Sequence, residues 1–444
     1  MKWLTPLLLC CSLSTQADML QALQAYEKKD YQSAQAKFAE LLIFGNDLAS
    51  FNLAAMAING QGQPKDKQKA LSYMMLAAEL KHPQAPAIIE QWSATMAAAD
   101  IEAARLQLQQ LKQQVVIKSK HTDEDQTADK LAEPVPIKRE PPTFPPEAAR
   151  KGFSGYVTVR FLVDGKGEVV VADSLDAFPE KVFEKSAIAA IKKWRYQPDG
   201  KSHIHRVQLI YSIEGGVNIN KLNALNQEYR LWDGAQAGSP QHQWILGTLL
   251  KMSEVQSGKH FDFQSELPFG DKLALDVFKS SGKRAKVSAD FEGFYGSATV
   301  SVDAQGLITQ VHRFEPDTNN KMADLLGQKL TGDVNAGRYN LYYRSPDQDK
   351  KIKVTQLHPA PESMSSTYWW AEAAKNGNPN AQRLMAVHHD DWLQFLLQRQ
   401  DAEMMAWAGA DLLLAGKQQQ GLQLLDQAIA KNYPLARELK KHLL

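Results

Sequence analysis

The sequence predicts a multidomain α+β protein that combines helical-repeat segments with a small sheet-and-helix domain and a second small β unit. Ala- and Leu-rich stretches with helical spacing occupy both ends of the chain, and Gly and Pro interrupt them. In the middle, two stretches alternate apolar and polar residues around the tetrapeptides DGKG and DAQG, as hairpins do. With 444 residues and 44% hydrophobic content, the chain is long enough for several packed cores.

The N-terminal segment 1–17 predicts a secretory signal peptide. A charged start precedes an apolar run at 4–13, and small residues follow before a cut after Ala17. The run is too short for a membrane span, although an uncleaved anchor is the alternative. Both cysteines, Cys10 and Cys11, lie in this segment, so a processed chain would have no disulfide and no thiolate metal site. We therefore expect a periplasmic protein.

Helical repeats are predicted at 18–120 and 361–444, with a helical segment at 217–285. The pentapeptides GNDLA, KHPQA, GSPQH, GNPNA and NYPLA share one layout, in which a turn leads into a helix. Four of them carry proline at the same slot, where the first helical turn accepts it: Pro83, Pro240, Pro379 and Pro434. With their paired alanines, these segments resemble Sel-one-like repeats, relatives of tetratricopeptide repeats. The alternative is an unrelated helical bundle.

The first helical region is predicted to end with a long helix near Lys120, and a charged, Pro-rich linker follows at 121–143. The neighbouring carboxylates Asp123, Glu124 and Asp125 lie in this linker, where no pocket is expected to shift their pKa values.

Residues 144–216 predict a compact sheet-and-helix domain. An alternating strand runs into the turn DGKG, whose Gly supplies a positive φ, and EVVVADSL returns as the second strand. A helix is predicted to start at Pro179. Its apolar stripe faces the hairpin and consists of Phe183, Ala187, Ile191 and Trp194. IHRVQLIYSI follows as the third strand.

The stretch AIKKWRYQPDG could indicate a nucleic-acid patch, but its cations have a simpler explanation. Lys192, Lys193 and Arg195 fall near the end of the predicted helix, where positive charge complements the helix dipole. The chain holds 51 basic and 50 acidic residues, a net charge of +1, so it has no strong positive field. We expect no nucleic-acid binding.

This segment resembles the C-terminal domain of TonB-family energy transducers. The resemblance is carried by FPPEAARKGFSG, VTVRFLVDGKGEV, FEKSAIAAIKKWRYQP and HRVQLIYSI. The residues of the family signature and core are Gly155, Phe161, Asp164, Gly167, Phe183, Trp194, Arg195, Tyr196 and Pro198. The resemblance implies that a receptor segment pairs with the edge of the last strand, at Arg206, Val207, Gln208, Leu209, Ile210, Tyr211 and Ser212. The alternative is that the rest of the chain covers this edge.

The implied function is binding, without a cofactor. As a TonB-family adaptor, the protein would assist uptake of iron complexes or similar cargo. Its partners would be outer-membrane TonB-dependent receptors or an inner-membrane TonB–ExbB–ExbD-type complex. The alternative is an envelope scaffold that binds peptidoglycan. TonB transducers have an inner-membrane anchor, and this sequence shows a signal and repeats instead, so direct force transduction is in doubt.

No enzyme or metal site is predicted. His203 and His205 fall on one face of a strand, but no third ligand is suggested nearby. The cluster HHDD, at 388–391, cannot converge on one ion, because neighbouring helical residues diverge. The sequence shows no nucleophile elbow, phosphate loop or zinc-protease motif.

The second small β unit is predicted at 286–360, where SADFEGFYGSATVSVDAQGLITQVHRFEPD alternates like a hairpin. DAQG stands where DGKG stands in the first hairpin, yet no Trp-Arg-Tyr signature follows. An unrelated β unit and a decayed second copy of the first domain are both open.

Overall fold

A computed structural model of the chain describes residues 18–118, 136–212, 219–257, 260–264, 287–289, 296–316, 325–343 and 352–444. The predicted signal peptide and the carboxylates at 123–125 lie outside these residues, as do parts of the predicted linker and of the segment 217–285.

The N-terminal region is a set of packed helices. Their order is α1 (Met19–Glu27), α2 (Tyr31–Leu42), α3 (Asp47–Asn59), α4 (Lys67–Glu79), α5 (Ala85–Ser93) and α6 (Ala98–Gln114). The first four begin at Asp18, Asp30, Asn46 and Asp66, whose side chains accept a backbone N–H of the first turn. These short polar residues therefore set the start of each helix.

Helix α6 ends at Gln114, earlier than the sequence predicts. Three β-branched residues follow, Val115 to Ile117, and they favour extended backbone over helix. The N–H of Val116 donates to the carbonyl of Ile43 at 2.9 Å, and the side chains of Val115 and Ile117 are buried. The predicted extension to Lys120 is wrong, because these residues pack as an extended segment.

The sheet-and-helix domain follows. Its elements are β1 (Pro136–Lys138), α7 (Pro146–Arg150), β2 (Gly155–Val163), β3 (Val169–Phe178), α8 (Glu184–Ile191), β4 (Arg195–Tyr196) and β5 (His203–Tyr211). The predicted start of a helix at Pro179 is wrong. Glu184 accepts the N–H of Phe183 at 3.1 Å, so its side chain holds the chain just ahead of the helix. Strand β1 pairs with β4, so residues 136–138 of the predicted linker belong to this domain.

Helices and a second sheet come next, as α9 (Ile219–Tyr229), α10 (Leu231–Gln236), α11 (Pro240–Ser257), β6 (His260–Gln264), β7 (Val287–Ser288), β8 (Gly296–Val302), β9 (Ile308–Pro316), β10 (Thr331–Gly332), β11 (Gly337–Tyr343) and β12 (Lys353–Pro361). The sequence predicts helix through 285, and the strand β6 corrects this: it pairs with β12, a partner distant in sequence. Among the described residues the main sheet has the order β6-β12-β11-β8-β9, and β7 pairs with β10.

Six helices complete the chain: α12 (Ser366–Lys375), α13 (Pro379–Ala386), α14 (Asp390–Gln398), α15 (Ala402–Leu414), α16 (Gln418–Ala430) and α17 (Ala436–Leu443). Pro240 and Pro379 are the first residues of α11 and α13, which confirms the predicted slot. For Pro83 and Pro434 the prediction is wrong. They lie in turns that precede α5 and α17, and the Ala436 N–H closes the second turn on the Tyr433 carbonyl at 3.3 Å.

The N- and C-terminal helices share one hydrophobic core. The ring of Phe44 stacks on Trp392 with centroids 5.5 Å apart. Asn376 joins three segments: its side-chain oxygen accepts from Asn46 at 2.7 Å, and its amide donates to Gln243 at 2.9 Å. The chain is thus a multidomain α+β protein in which helices from both ends pack as one body. No helix among the described residues has the length and apolar character needed to cross a bilayer.

Candidate functional site: an edge strand

The site is built on a tight hairpin turn between β2 and β3. Asp164 caps it, since its carboxylate accepts from the N–H groups of Lys166 and Glu168 at 3.0 and 2.9 Å. Gly167 has φ +79°. A Cβ there would lie 2.0 Å from the carbonyl oxygen of Tyr196, so this position requires glycine for both conformation and space.

Strand β2 is the centre of the sheet, with β3 and β5 on either side. Both neighbours are antiparallel to it, and β5 pairs along its whole length, from Gly155 opposite Tyr211 to Val163 opposite His203. Among the described residues, no strand pairs with the other side of β5. Its outward backbone groups therefore form a sheet edge that can accept an added strand.

Side chains on β5 alternate between two faces. Val207, Leu209 and Tyr211 pack toward the inner core, with Tyr211 at 2% exposure. The ring of Tyr211 stacks on Phe183 at 4.3 Å. On the opposite face the side chain of Ile210 is 47% exposed.

The inner core fixes the position of the edge. It consists of Ala148, Val157, Val159, Phe161, Val163, Val169, Ala172, Phe183, Ala187, Ile191, Trp194, Tyr196 and Tyr211. The predicted stripe on α8 lies within this set, and Trp194 is 3% exposed. Its indole N–H donates to the carbonyl of Glu140 at 2.8 Å, and the guanidinium of Arg139 lies 5.0 Å from the Trp194 ring. The stretch that raised the possibility of a nucleic-acid patch thus centres on a core residue.

C-terminal helices cover part of the outer face of the same sheet. Leu162 and Val171 from the sheet pack with Trp407 of α15 and with α16 and α17, in a cluster that we call the outer-face cluster. It comprises Leu162, Val171, Met405, Ala406, Trp407, Ala410, Leu413, Leu425, Ala428, Ala436 and Leu439. Helices α15 to α17 of the helical body therefore cover the outer face of the sheet. In the part of the chain described, no strand pairs with the outward side of β5.

A buried charge cluster joins the same surfaces. Arg160, 3% exposed, donates to Glu403 at 3.0 Å and lies 3.6 Å from Asp173. Its guanidinium stacks over Trp407 at 4.2 Å from the ring centroid, and the Tyr433 hydroxyl donates to Asp173 at 2.5 Å. Burial raises the pKa of Glu403, and the charge of Arg160 opposes this rise. These contacts join the sheet to α15, through Glu403, and to the turn before α17, through Tyr433.

A second buried carboxyl lies at the other end of this face. The hydroxyl of Tyr156 donates to Asp176 at 2.6 Å, and Tyr156 packs against Met252 of α11. Burial raises the pKa of Asp176 from 3.8 to about 6, against the opposing effect of the Tyr156 hydrogen bond. The contact between the sheet and α11 therefore includes a carboxyl that is protonated at a higher pH than an exposed aspartate.

The remaining signature residues have separate places. Gly155 is buried, and a Cβ on it would meet the Phe178 carbonyl oxygen at 1.9 Å. Arg195 and Pro198 are exposed, so they lie outside the core to which the sequence assigns them. Arg195 donates to the Trp194 carbonyl at 2.8 Å instead.

The histidine clusters form no metal site within the described residues, where no group of three or more potential ligands is found. His203 Nε2 lies 2.7 Å from an oxygen of Asp199, and the His205 ring stacks on Tyr196. Asp391 accepts the N–H of Lys118 at 2.7 Å.

Residues 140–214 match the protein family described as the Gram-negative bacterial TonB protein C-terminal. They form a TonB-like domain. A protein named TonB from Pseudomonas aeruginosa is 30% identical over 63 residues, which are 14% of this chain and 18% of that protein. A protein named TonB from Escherichia coli is 30% identical over 86 residues, 19% of this chain and 36% of that protein. The chain thus matches only a minor part of each relative.

Two solved structures are also similar. The C-terminal domain of Pseudomonas aeruginosa TonB shares 24% identity, with a TM-score of 0.18, 19% of this chain covered and 89% of that chain covered. The TonB2 protein of Vibrio anguillarum shares 34% identity, with a TM-score of 0.16, 18% of this chain covered and 80% of that chain covered.

Sequence reasoning did not identify Arg160, Asp173 and Glu403. Arg160 stands out only as a charged residue in the middle of a strand otherwise rich in apolar residues, and nothing local links it to Glu403. A clearer signal was also missed. RVQLIY on β5 and RYNLYY on β11 share Arg, Leu and Tyr at the same places.

Proposed function

We propose that this protein is a periplasmic adaptor of the TonB family. Its TonB-like domain would bind an extended segment of an outer-membrane receptor along β5, at Arg206, Val207, Gln208, Leu209, Ile210, Tyr211 and Ser212. In this role it would assist energy-dependent uptake of iron complexes or similar cargo, and it would not act as an enzyme. The observation that carries the proposal is that no strand of the described residues pairs with the outward side of β5, in a domain that matches the TonB family.

The physical basis is strand addition. Main-chain hydrogen bonds give an added strand its affinity, while alternate side chains select its sequence. On the inner side such a strand would meet Val207 and Leu209, which are partly buried, and on the outer side it would meet the exposed Ile210. Both are apolar contacts that gain from being covered. A partner segment with apolar residues at alternate positions suits this edge.

The helical body has a different proposed role. We infer that its helices are Sel-one-like repeats that dock onto a membrane-anchored partner, such as a TonB–ExbB–ExbD-type complex. The support is the covering of the outer sheet face by α15 to α17, because the TonB-like domain is thereby held on the helical body. Export would depend on the predicted signal at 1–17.

The first test is photo-crosslinking in cells. A photoreactive residue is placed at Gln208 or Ile210, and the adducts are identified by mass spectrometry. Tyr211 is unsuitable, since it is buried. The matched control is Ser174 on β3, the opposite outer strand. We expect adducts to the periplasmic N-terminal segment of a TonB-dependent receptor from β5 and none from Ser174.

Two other results would overturn the proposal. Adducts from β5 that fall only within this chain would show that the edge is covered. Equal receptor adducts from Ser174 would show that binding does not involve the β5 edge. Growth of a deletion strain under iron limitation tests the role in uptake. Normal growth there would favour the envelope scaffold that binds peptidoglycan.

A further inference from the structure

The second β unit repeats the hydrogen bonds of the turn in the TonB-like domain. Asp303 accepts from the N–H groups of Gln305 and Leu307 at 2.9 and 2.8 Å, the same two positions that bind Asp164 in the first hairpin. Gly306 has φ +85°, where Gly167 has +79°. The two hairpins thus share one turn.

The next contact along the chain is also repeated. In the first domain the N–H of Tyr196 donates to the Gly167 carbonyl at 2.9 Å. In the second unit the N–H of Leu330 donates to the Gly306 carbonyl at 2.8 Å. A Cβ on Gly306 would lie 2.5 Å from the Leu330 carbonyl oxygen, so the same close approach requires glycine in both units.

The third strand completes the likeness. Strand β11 pairs antiparallel with β8 on the side opposite β9, and Gly296 lies opposite Tyr343 as Gly155 lies opposite Tyr211. This register aligns RYNLYY with RVQLIY. Tyr342, at 46% exposure, takes the place of Ile210, at 47%. The order β9-β8-β11 therefore repeats β3-β2-β5, and β11 is the counterpart of β5.

The two units differ at the edge. The outward side of β11 is filled by β12, which runs antiparallel to it from Arg338 opposite Leu357 to Tyr342 opposite Lys353. An ion pair spans the added strand: Arg338 on β11 contacts Asp262 on β6 at 2.9 Å. Arg338 is the counterpart of Arg206 on β5. The ion pair therefore links β11 to β6 across β12, and we call it the clamp.

Strand β12 has two separate halves. Its first half, 353–357, pairs with β11, and its second half, 357–361, pairs in parallel with β6. Only Leu357 belongs to both pairings. The first half can therefore leave β11 while the second half stays paired with β6 and leads on toward α12.

We propose that β11 is a second strand-accepting edge and that residues 353–357 of the same chain are its resident ligand. The chain then holds two edges of one type: β11, which β12 covers, and β5, with which no further strand pairs in the described part of the chain. An extended peptide with the sequence of β12 binds β11 when the resident strand is released. This inference does not depend on the partner proposed for β5.

The test uses the full chain with Cys10→Ser and Cys11→Ser, and a fluorescein-labelled peptide that copies residues 352–361. In Asp262→Asn the clamp is lost, so we expect the peptide to bind about tenfold more tightly by fluorescence anisotropy than it binds the parent. A labelled peptide carrying the Thr355→Pro change, which removes a backbone donor, is the matched control.

A disulfide lock assigns the binding to β11. Tyr342→Cys and Lys353→Cys replace directly opposed residues, and Tyr342 is about half exposed. In the Asp262→Asn background, we expect the oxidised lock to abolish peptide binding and reduction to restore it. Amide exchange at β11 should rise in Asp262→Asn and fall again when peptide is added.

Three outcomes would overturn the inference. Equal binding by the oxidised and reduced locks would place the peptide elsewhere. Absence of binding to Asp262→Asn, with amides of β8 and β9 still protected, would make β12 an ordinary strand of the sheet. If the amides of β8 and β9 lose protection in Asp262→Asn, the unit has unfolded and Arg338→Gln, which removes the same ion pair, is tested in its place. Absence of peptide binding to Arg338→Gln would then contradict the inference. Receptor adducts from β5 are unaffected by any of these results, so the two proposals fail separately.

Discussion

At the residue scale, Asp176 makes stability depend on pH. Burial raises the pKa of its carboxyl from 3.8 to about 6 in the folded chain. Because the folded pKa lies above the unfolded one, the folded state binds the extra proton. The stability that the folded state gains from binding this proton at Asp176 is complete below about pH 4 and is lost as the pH rises through 6.

We predict that Asp176→Asn removes this dependence. The amide keeps an oxygen for the Tyr156 hydroxyl but has no charge to bury. Above pH 7 the variant should be more stable than the parent by up to about 3 kcal/mol, and near pH 4 the two should be equal. Urea unfolding from pH 4 to 8 measures this. A constant difference across that range would contradict it. Burial also raises the pKa of Asp47 to about 6, so both carboxyls contribute to the pH dependence of the parent. The difference in stability between the variant and the parent reports on Asp176.

At the scale of elements, the hairpin turn was the most predictable feature, and a matched pair of glycines tests why. Gly167 and Gly200 both have positive φ, +79° and +76°. A Cβ on Gly167 meets the Tyr196 carbonyl oxygen at 2.0 Å, whereas a Cβ on Gly200 meets no atom within 4 Å.

We expect Gly167→Ala to lower the free energy of unfolding by about 3 kcal/mol, from strained backbone and the clash together. Gly200→Ala should cost only about 1 kcal/mol, from the backbone alone. Denaturant unfolding of both variants measures the two values. Similar losses would show that the close approach to Tyr196 adds nothing.

Elements set by local sequence were predicted well, and those set by distant partners were not. DGKG and the stripe that ends at Trp194 depend on neighbouring residues, so they are readable from the sequence. Strand β6 depends on β12, far along the chain, and helical spacing misled there. The start of α8 is an exception among the local features: Glu184 follows Phe183 directly and its carboxylate accepts the Phe183 N–H, so the helix begins later than Pro179 indicates. The edge at β5 was predicted from the family resemblance. No feature of the sequence predicted that α15 to α17 pack on the outer face of the sheet.

At the scale of the whole molecule, one buried side chain connects the two ends of the helical body. Asn376 is 3% exposed and contacts Asn46 and Gln243, which come from other parts of the chain. Asn380 is on α13, which begins just after the turn that contains Asn376. It is exposed and contacts Glu180 at 3.3 Å.

We predict that Asn376→Ala lowers the free energy of unfolding by about 3 kcal/mol, because it removes the partners of two buried polar groups. Asn380→Ala should cost less than about 0.5 kcal/mol, as exposed substitutions do. Calorimetry would measure both, and the transition of Asn376→Ala should broaden as the helical regions uncouple. An unchanged single transition with wild-type midpoint would contradict a shared body.

The bond from Asn46 to Asn376 spans 330 residues, and this separation bears on how the molecule is made. Contacts so far apart in sequence close late, because a long loop must be ordered before they form. During synthesis the first helices emerge long before the helices that cover them. Their apolar faces stay open until the C-terminal helices arrive. A core that closes only when the last helices arrive would suit the export that we propose, because a chain passes through a narrow secretion channel before it is folded.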